Sequence, residues 1–189
     1  MEKVKAFCKR KNIEISVKRY LIDALGAMAQ GLFASLLIGT IISTLGTQLH
    51  IPILETVGTY AKAAVGPAMA IAIGYALQAA PLVLFSLAAV GAAANELGGA
   101  GGPLAVLVVA IFAAEFGKAV SKETKIDIIV TPFVTIFVGV ALSIWWAPAI
   151  GAAASVVGNA IMWATELQPF FMGIIVSVIC LLYTSDAAD

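Results

Sequence analysis

Glu166 and Gln168 flank Leu167 just before Pro169 and Phe170, and they carry the strongest chemical signal in this chain. An ionisable group beside a proline and a glutamine makes Glu166 the first functional suspect. Long apolar runs lie on both sides, and an ionisable group at such depth costs roughly 2.5 to 3.5 kcal/mol unless it faces a cavity or a partner. Pro169 removes a backbone donor and breaks a helix, which frees carbonyls that can face a solute. The structural alternative is an interfacial helix end, with Pro169 in the first turn of the next helix. Thr131, beside Pro132, and Asn159, inside a Gly and Ala-rich stretch, are weaker polar candidates. Gly98, Gly99, Gly101 and Gly102 form a glycine-rich tip between two short apolar runs, 81–94 and 103–114, as expected of a gating or re-entrant element.

Other chemistries find little support. Cys8 and Cys180 stand at opposite ends of the chain without metal or redox spacing, so no disulfide, metal site or cofactor is expected. His50 is the only histidine and reads as an exposed loop residue. The glycine tract lacks the GxxxxGK[ST] pattern and follows no strand, so it is no phosphate loop. No catalytic residue is assigned.

The elements that must position these groups are membrane helices. Sixty-one per cent of residues are hydrophobic and 12 per cent charged, with a mean hydropathy of +1.03. Soluble domains carry about a quarter charged residues, so the expected class is all-α, a polytopic integral membrane protein. It should hold about five to seven membrane helices, some short, broken or re-entrant. Seven of the eleven Lys and Arg residues fall within the first nineteen positions, which places the N-terminus in the cytoplasm by the positive-inside rule. This basic run flanks a membrane span, so nucleic acid is not the expected partner. The apolar run 20–45 is too long for a cleavable signal core and should remain as a first span.

The chain divides into a basic cytoplasmic lead-in (1–18), a partial membrane transport domain (19–179) and a non-native tail (180–189). A second span is expected over 57–77, with Gly66-Pro67 inside it and Lys62 snorkelling or meeting Glu55. Runs 81–94 and 103–114 are each shorter than the roughly 20 residues a straight span needs. Either flanking polar residues extend them into two crossings, or they form a re-entrant hairpin. Lys118, Lys122 and Lys125 mark a cytoplasmic loop, with Glu115 three residues before Lys118. A further span is expected over 126–146, kinked at Thr131-Pro132 and anchored by Trp145-Trp146 at the far interface. A separate stretch then covers 148–168. The tail CLLYTSDAAD resembles translated sequencing adapter, and the chain reads as an N-terminal fragment.

Three tracts, GPAMAIAIGYALQAAPLVLFS, GGPLAVLVVAIFAAEFGKAVSKETKIDIIVTPFVTIFVG and GNAIMWATELQPFFMGIIVSVI, together resemble the membrane-embedded enzyme IIC of the bacterial phosphoenolpyruvate-dependent phosphotransferase system, in its uncharacterised branch. The most specific pieces are KIDIIVTP (125–132) and TELQPF (165–170). The resemblance implies a permease in the bacterial inner membrane that binds a sugar and presents it to a IIB subunit, itself charged by IIA. It also implies a homodimer. In better-known branches a glutamate directly before a proline contacts sugar hydroxyls; here two residues separate Glu166 from Pro169, and no mid-membrane histidine is present. No phospho-acceptor motif is visible, so the phosphoryl donor must be another chain. The competing readings are a proton- or ion-coupled secondary transporter using Glu166, Glu115 and Asp127, and a membrane scaffold without transport.

Overall fold

The computed structural model describes residues 18–121 and 126–167, with side chains as far as 159. Six helices account for nearly all of them: α1 (Lys18–Leu49), α2 (Pro52–Ala63), α3 (Val65–Ala76), α4 (Pro81–Gly98), α5 (Gly102–Val120) and α6 (Asp127–Leu167). No strand occurs among the described residues, and the all-α expectation holds. The chain termini of these helices follow local chemistry. Pro52, Pro81 and Pro103 sit in first turns, where a missing N–H costs nothing. α1 stops at His50, which adopts the left-handed conformation (φ 54°, ψ 40°) and returns its N–H to the Gly46 carbonyl. The lone histidine thus makes the turn that reverses the chain.

The second span is split in two. Pro67 has no N–H to give the carbonyl four residues back, and the helical ladder breaks at Ala64 (φ −81°, ψ 2°) between α2 and α3. Lys62, expected to snorkel or to meet Glu55, donates to Ser43 Oγ on α1 at 3.2 Å. α2 packs on the second half of α1, and α3 on the first half, so the two short helices together retrace one long one. Glycines make this possible. An added Cβ at Gly31 would strike the Ala68 backbone, and one at Gly58 would strike Gly39 and Ser43.

α4 and α5 form an antiparallel hairpin in the centre, packed on α3 and on α6. Asn95 and Glu96, which the sequence places in a joining segment, lie inside α4, and Glu115 to Val120 belong to α5. The polar flanks therefore extend both apolar runs, to 18 and 19 residues. At 1.5 Å per residue each reaches about 27 to 28 Å, close to the roughly 30 Å hydrocarbon core of a bilayer. Buried Met69, Ile73, Val83, Leu87, Val90, Val106 and Val109 fill the centre.

α6 departs from the expected division at Trp146. It runs unbroken for 41 residues with Pro132 and Pro148 inside it, about 61 Å long. Each proline deletes one backbone bond, a loss that membrane helices tolerate where neighbouring helices and hydroxyls satisfy the freed groups. Trp146 meets Phe112 of α5 edge to face at 5.1 Å, while Trp145 is exposed. The tryptophan pair consequently marks a helix contact and not a helix end.

The outer surface is apolar. Ile53, Tyr60, Phe85, Ile128, Phe133, Phe137 and Trp145 are each more than 60 % exposed, as suits helices sheathed in lipid. Hydroxyls on these faces turn inward to their own helix: Thr40, Thr47, Thr56 and Thr59 all bond the carbonyl four residues back, as the buried Ser35 and Ser86 also do. Three helical stretches, Lys18–Leu49, Pro81–Val120 and Asp127–Asn159, are long and apolar enough to cross a membrane. The middle one reverses at the glycine tip and supplies two helices.

Candidate functional site

Polar groups gather at two levels of the bundle. The first is the end where α1 begins and α3 and α5 finish. Leu77 follows the last turn of α3, so its carbonyl belongs to the partially negative terminus of that helix. Arg19 Nη2 of α1 donates to it at 2.9 Å, and Lys118 Nζ of α5 at 3.2 Å. Three helices separated by dozens of residues are tied through one oxygen. Both cations are buried, Lys118 with 3 % of its side chain exposed.

Glu115 supplies the compensating charge. Its Oε1 lies 2.7 Å from Lys118 Nζ, one turn along α5. Its Oε2 is also buried and accepts a hydrogen bond from no described residue. Beside this cluster Asp127 opens α6, where a carboxylate suits the positive end of the helix. Thr131 Oγ1 donates to Asp127 Oδ1 at 2.5 Å, and Thr135 Oγ1 donates to the Thr131 carbonyl at 2.8 Å. Thr131 is fully buried and its hydroxyl proton is committed to Asp127.

The second level is the glycine tip. Gly98, Gly101 and Gly102 are buried and Gly99 is exposed. Gly99 holds φ +49° and ψ −120°, a conformation that L side chains rarely adopt. The tip seats on α6: a Cβ on Gly101 would meet Ala154 Cβ at 2.9 Å and the Ile150 carbonyl oxygen at 3.0 Å. On the inner side a Cβ on Gly102 would meet Asn95 Oδ1 at 2.6 Å. The tip is thus a glycine joint closed against the middle of α6.

Beyond that joint α6 carries the remaining candidates. Asn159 is exposed. Glu166 belongs to the last turn of α6, its side chain outside the described residues, as are Gln168 and Pro169. Asn159 stands within about 14 Å of the glycine joint along the axis, and Glu166 about 10 Å further. Thr131 lies on the opposite side, about 42 Å before Asn159 on the same helix. The structure therefore groups Asn159, Glu166 and the glycine tip in one half of α6 and sets Thr131 apart with the charged cluster. Among the described residues no three of His, Cys, Asp and Glu converge as metal ligands would.

Sequence reasoning singled out Glu115 and Lys118 for their spacing and missed what they hold. Arg19 reaches Leu77, fifty-eight residues on. A charged residue at the start of an apolar run was the available signal, and nothing local names its partner.

A family model described as "Phosphotransferase system, EIIC" matches residues 22–185. The comparisons with curated proteins and with solved structures return no match.

Proposed function

The chain belongs to the phosphotransferase system EIIC family, and from that premise we propose that it binds one sugar and delivers it to a partner IIB subunit for phosphorylation. As a permease component of that system it is a multi-pass membrane protein. The observation that carries the reading is the extent of the match, which spans the bundle from α1 through α6. In such a system the sugar hydroxyl attacks the phosphoryl group on IIB, recharged by IIA, and the sugar leaves as its phosphate ester. This chain's part is to bind, orient and shield the sugar.

Glu166, Gln168 and Asn159 are the proposed hydroxyl contacts in the distal half of α6. Gly98, Gly99, Gly101 and Gly102 form the proposed gate, where sliding of the hairpin tip over Ile150 and Ala154 would open a path beside α6. Thr131 is proposed to act indirectly, by holding Asp127. We place the chain in the bacterial inner membrane with its N-terminus in the cytoplasm, on the asymmetry of Lys and Arg. Two copies are proposed to associate in that membrane.

The test is Glu166→Gln. Losing a charge-assisted bond to a buried hydroxyl removes about 1.5 to 3 kcal/mol, so sugar affinity should fall by about 10-fold or more. Direct binding of radiolabelled sugar and phosphorylation-linked uptake both report it. Unchanged affinity and uptake would remove Glu166 from the site.

A further inference from the structure

We propose that Glu115 is a second sugar-binding residue, with its Oε2 accepting one hydroxyl of the transported sugar at the basic end of the bundle. The inference rests on the reading of the chain as a sugar permease and adds a station that the Glu166 region does not include. Three observations carry it.

First, Glu115 Oε2 is a buried acceptor to which no described residue donates. Buried polar atoms are almost always hydrogen-bonded, and each exception asks for an absent partner such as a ligand or a water. Second, the carboxylate is held ready. Lys118 sits 2.7 Å from Oε1 and compensates its charge, while Lys118 itself is fixed on the Leu77 carbonyl that Arg19 grips from α1. This support leaves one oxygen oriented and unused, the arrangement expected of a preorganised site.

Third, the surrounding charges select the class of ligand. A metal or ammonium ion would be repelled by Lys118 and Arg19, and among the described residues no cluster of metal-ligating residues is found. An anion would meet the Glu115 carboxylate itself. A neutral polyhydroxylated molecule is penalised by neither, and its hydroxyl proton fits an ionised acceptor. The location agrees with the chemistry, because this end carries Lys18, Arg19 and Lys118 and so faces the compartment that holds the phosphoryl donor. Along α5, Glu115 lies about 20 Å from the glycine joint, so it would contact sugar on the donor side of that gate.

The experiment uses the full chain in membrane vesicles supplied with phosphoenolpyruvate and the soluble phosphotransferase proteins. A panel of radiolabelled aldohexoses, ketohexoses and hexitols identifies a sugar that is phosphorylated, and monodeoxy analogues of that sugar then locate each hydroxyl contact. In the unaltered chain, removal of one particular hydroxyl should raise KM about 10- to 100-fold. In Glu115→Gln that penalty should shrink to about 3-fold or less, while penalties at the other hydroxyls persist. Because Glu115→Gln leaves Lys118 buried without its counter-charge, the double variant Glu115→Gln with Lys118→Met is measured alongside, and it should lose the same penalty. A folded variant that keeps every deoxy penalty would overturn the proposal and leave Oε2 to a structural water. If the unaltered chain phosphorylates no member of the panel, the sugar reading falls first and takes this inference with it.

Discussion

Replacing Gly91 by leucine should prevent the bundle from assembling. Gly91 of α4 and Gly66 of α3 cross so closely that a Cβ on either would land on the carbonyl oxygen of the other. Relief would require moving backbone against backbone, because no flexible side chain stands between them. Inserting side chains into a packed interior costs typically 1 to 3 kcal/mol, and this crossing, with two backbones in contact, should lose at least about 3 kcal/mol. Helix association in lipid has little hydrophobic drive and depends on such close packing, so the loss is not recovered elsewhere. Thermal unfolding of purified protein in detergent checks the expectation. Gly26→Leu is the control, since nothing lies within 4 Å of a Cβ there and its stability should stay within about 0.5 kcal/mol. Equal behaviour of the two variants would refute the crossing.

Lys118→Met has the second large effect. The substitution keeps an apolar stem of similar length but removes the charge facing Glu115 and one of the two donors to the Leu77 carbonyl. A buried carboxylate left without its partner costs about 3 to 5 kcal/mol, more than the intact pair contributes over an apolar replacement. Lys118→Met should therefore be much less stable than Lys118→Met combined with Glu115→Gln, which leaves no carboxylate without its cation. The double variant should recover most of the loss, as read from the same detergent unfolding. Raising salt should change little, since screening acts weakly on buried pairs. Additive losses in the double variant would show that the two residues do not interact.

Both effects lie in parts of the fold that the sequence revealed unevenly. Apolar runs between charges announced the helices, and their composition announced the membrane. The polar flanks were harder to read: Asn95-Glu96 looked like a joining segment, yet they complete α4 because the chain turns only where Gly99 supplies a positive φ. Pro67 and Pro148 are chemically identical breakers with opposite outcomes. The ladder breaks just before Pro67, and α6 continues through Pro148. No local pattern separates the two outcomes. Glycine spacing foretold close helix approach but not which glycines would meet, since Gly66 and Gly91 belong to different helices. The candidate site was divided in the same way. Glu166, Asn159 and the glycine tract were visible as polar or flexible groups in apolar surroundings, and α6 sets them in one half of the molecule. Arg19 and Lys118 meet at a backbone carbonyl, and a carbonyl carries no sequence identity at all.

The central claim, that this chain is the sugar-handling subunit of a phosphotransferase system, is tested most directly by the chemical form of the sugar it delivers. Right-side-out vesicles containing the full chain, loaded with phosphoenolpyruvate and the soluble IIA and IIB proteins, are given radiolabelled sugar with and without an uncoupler. The account predicts that label accumulates inside as sugar phosphate, requires IIB, and persists when the proton gradient is collapsed. Accumulation of free sugar that ignores the phosphoryl donor and vanishes with the uncoupler would contradict it, and would make the chain a proton-coupled transporter.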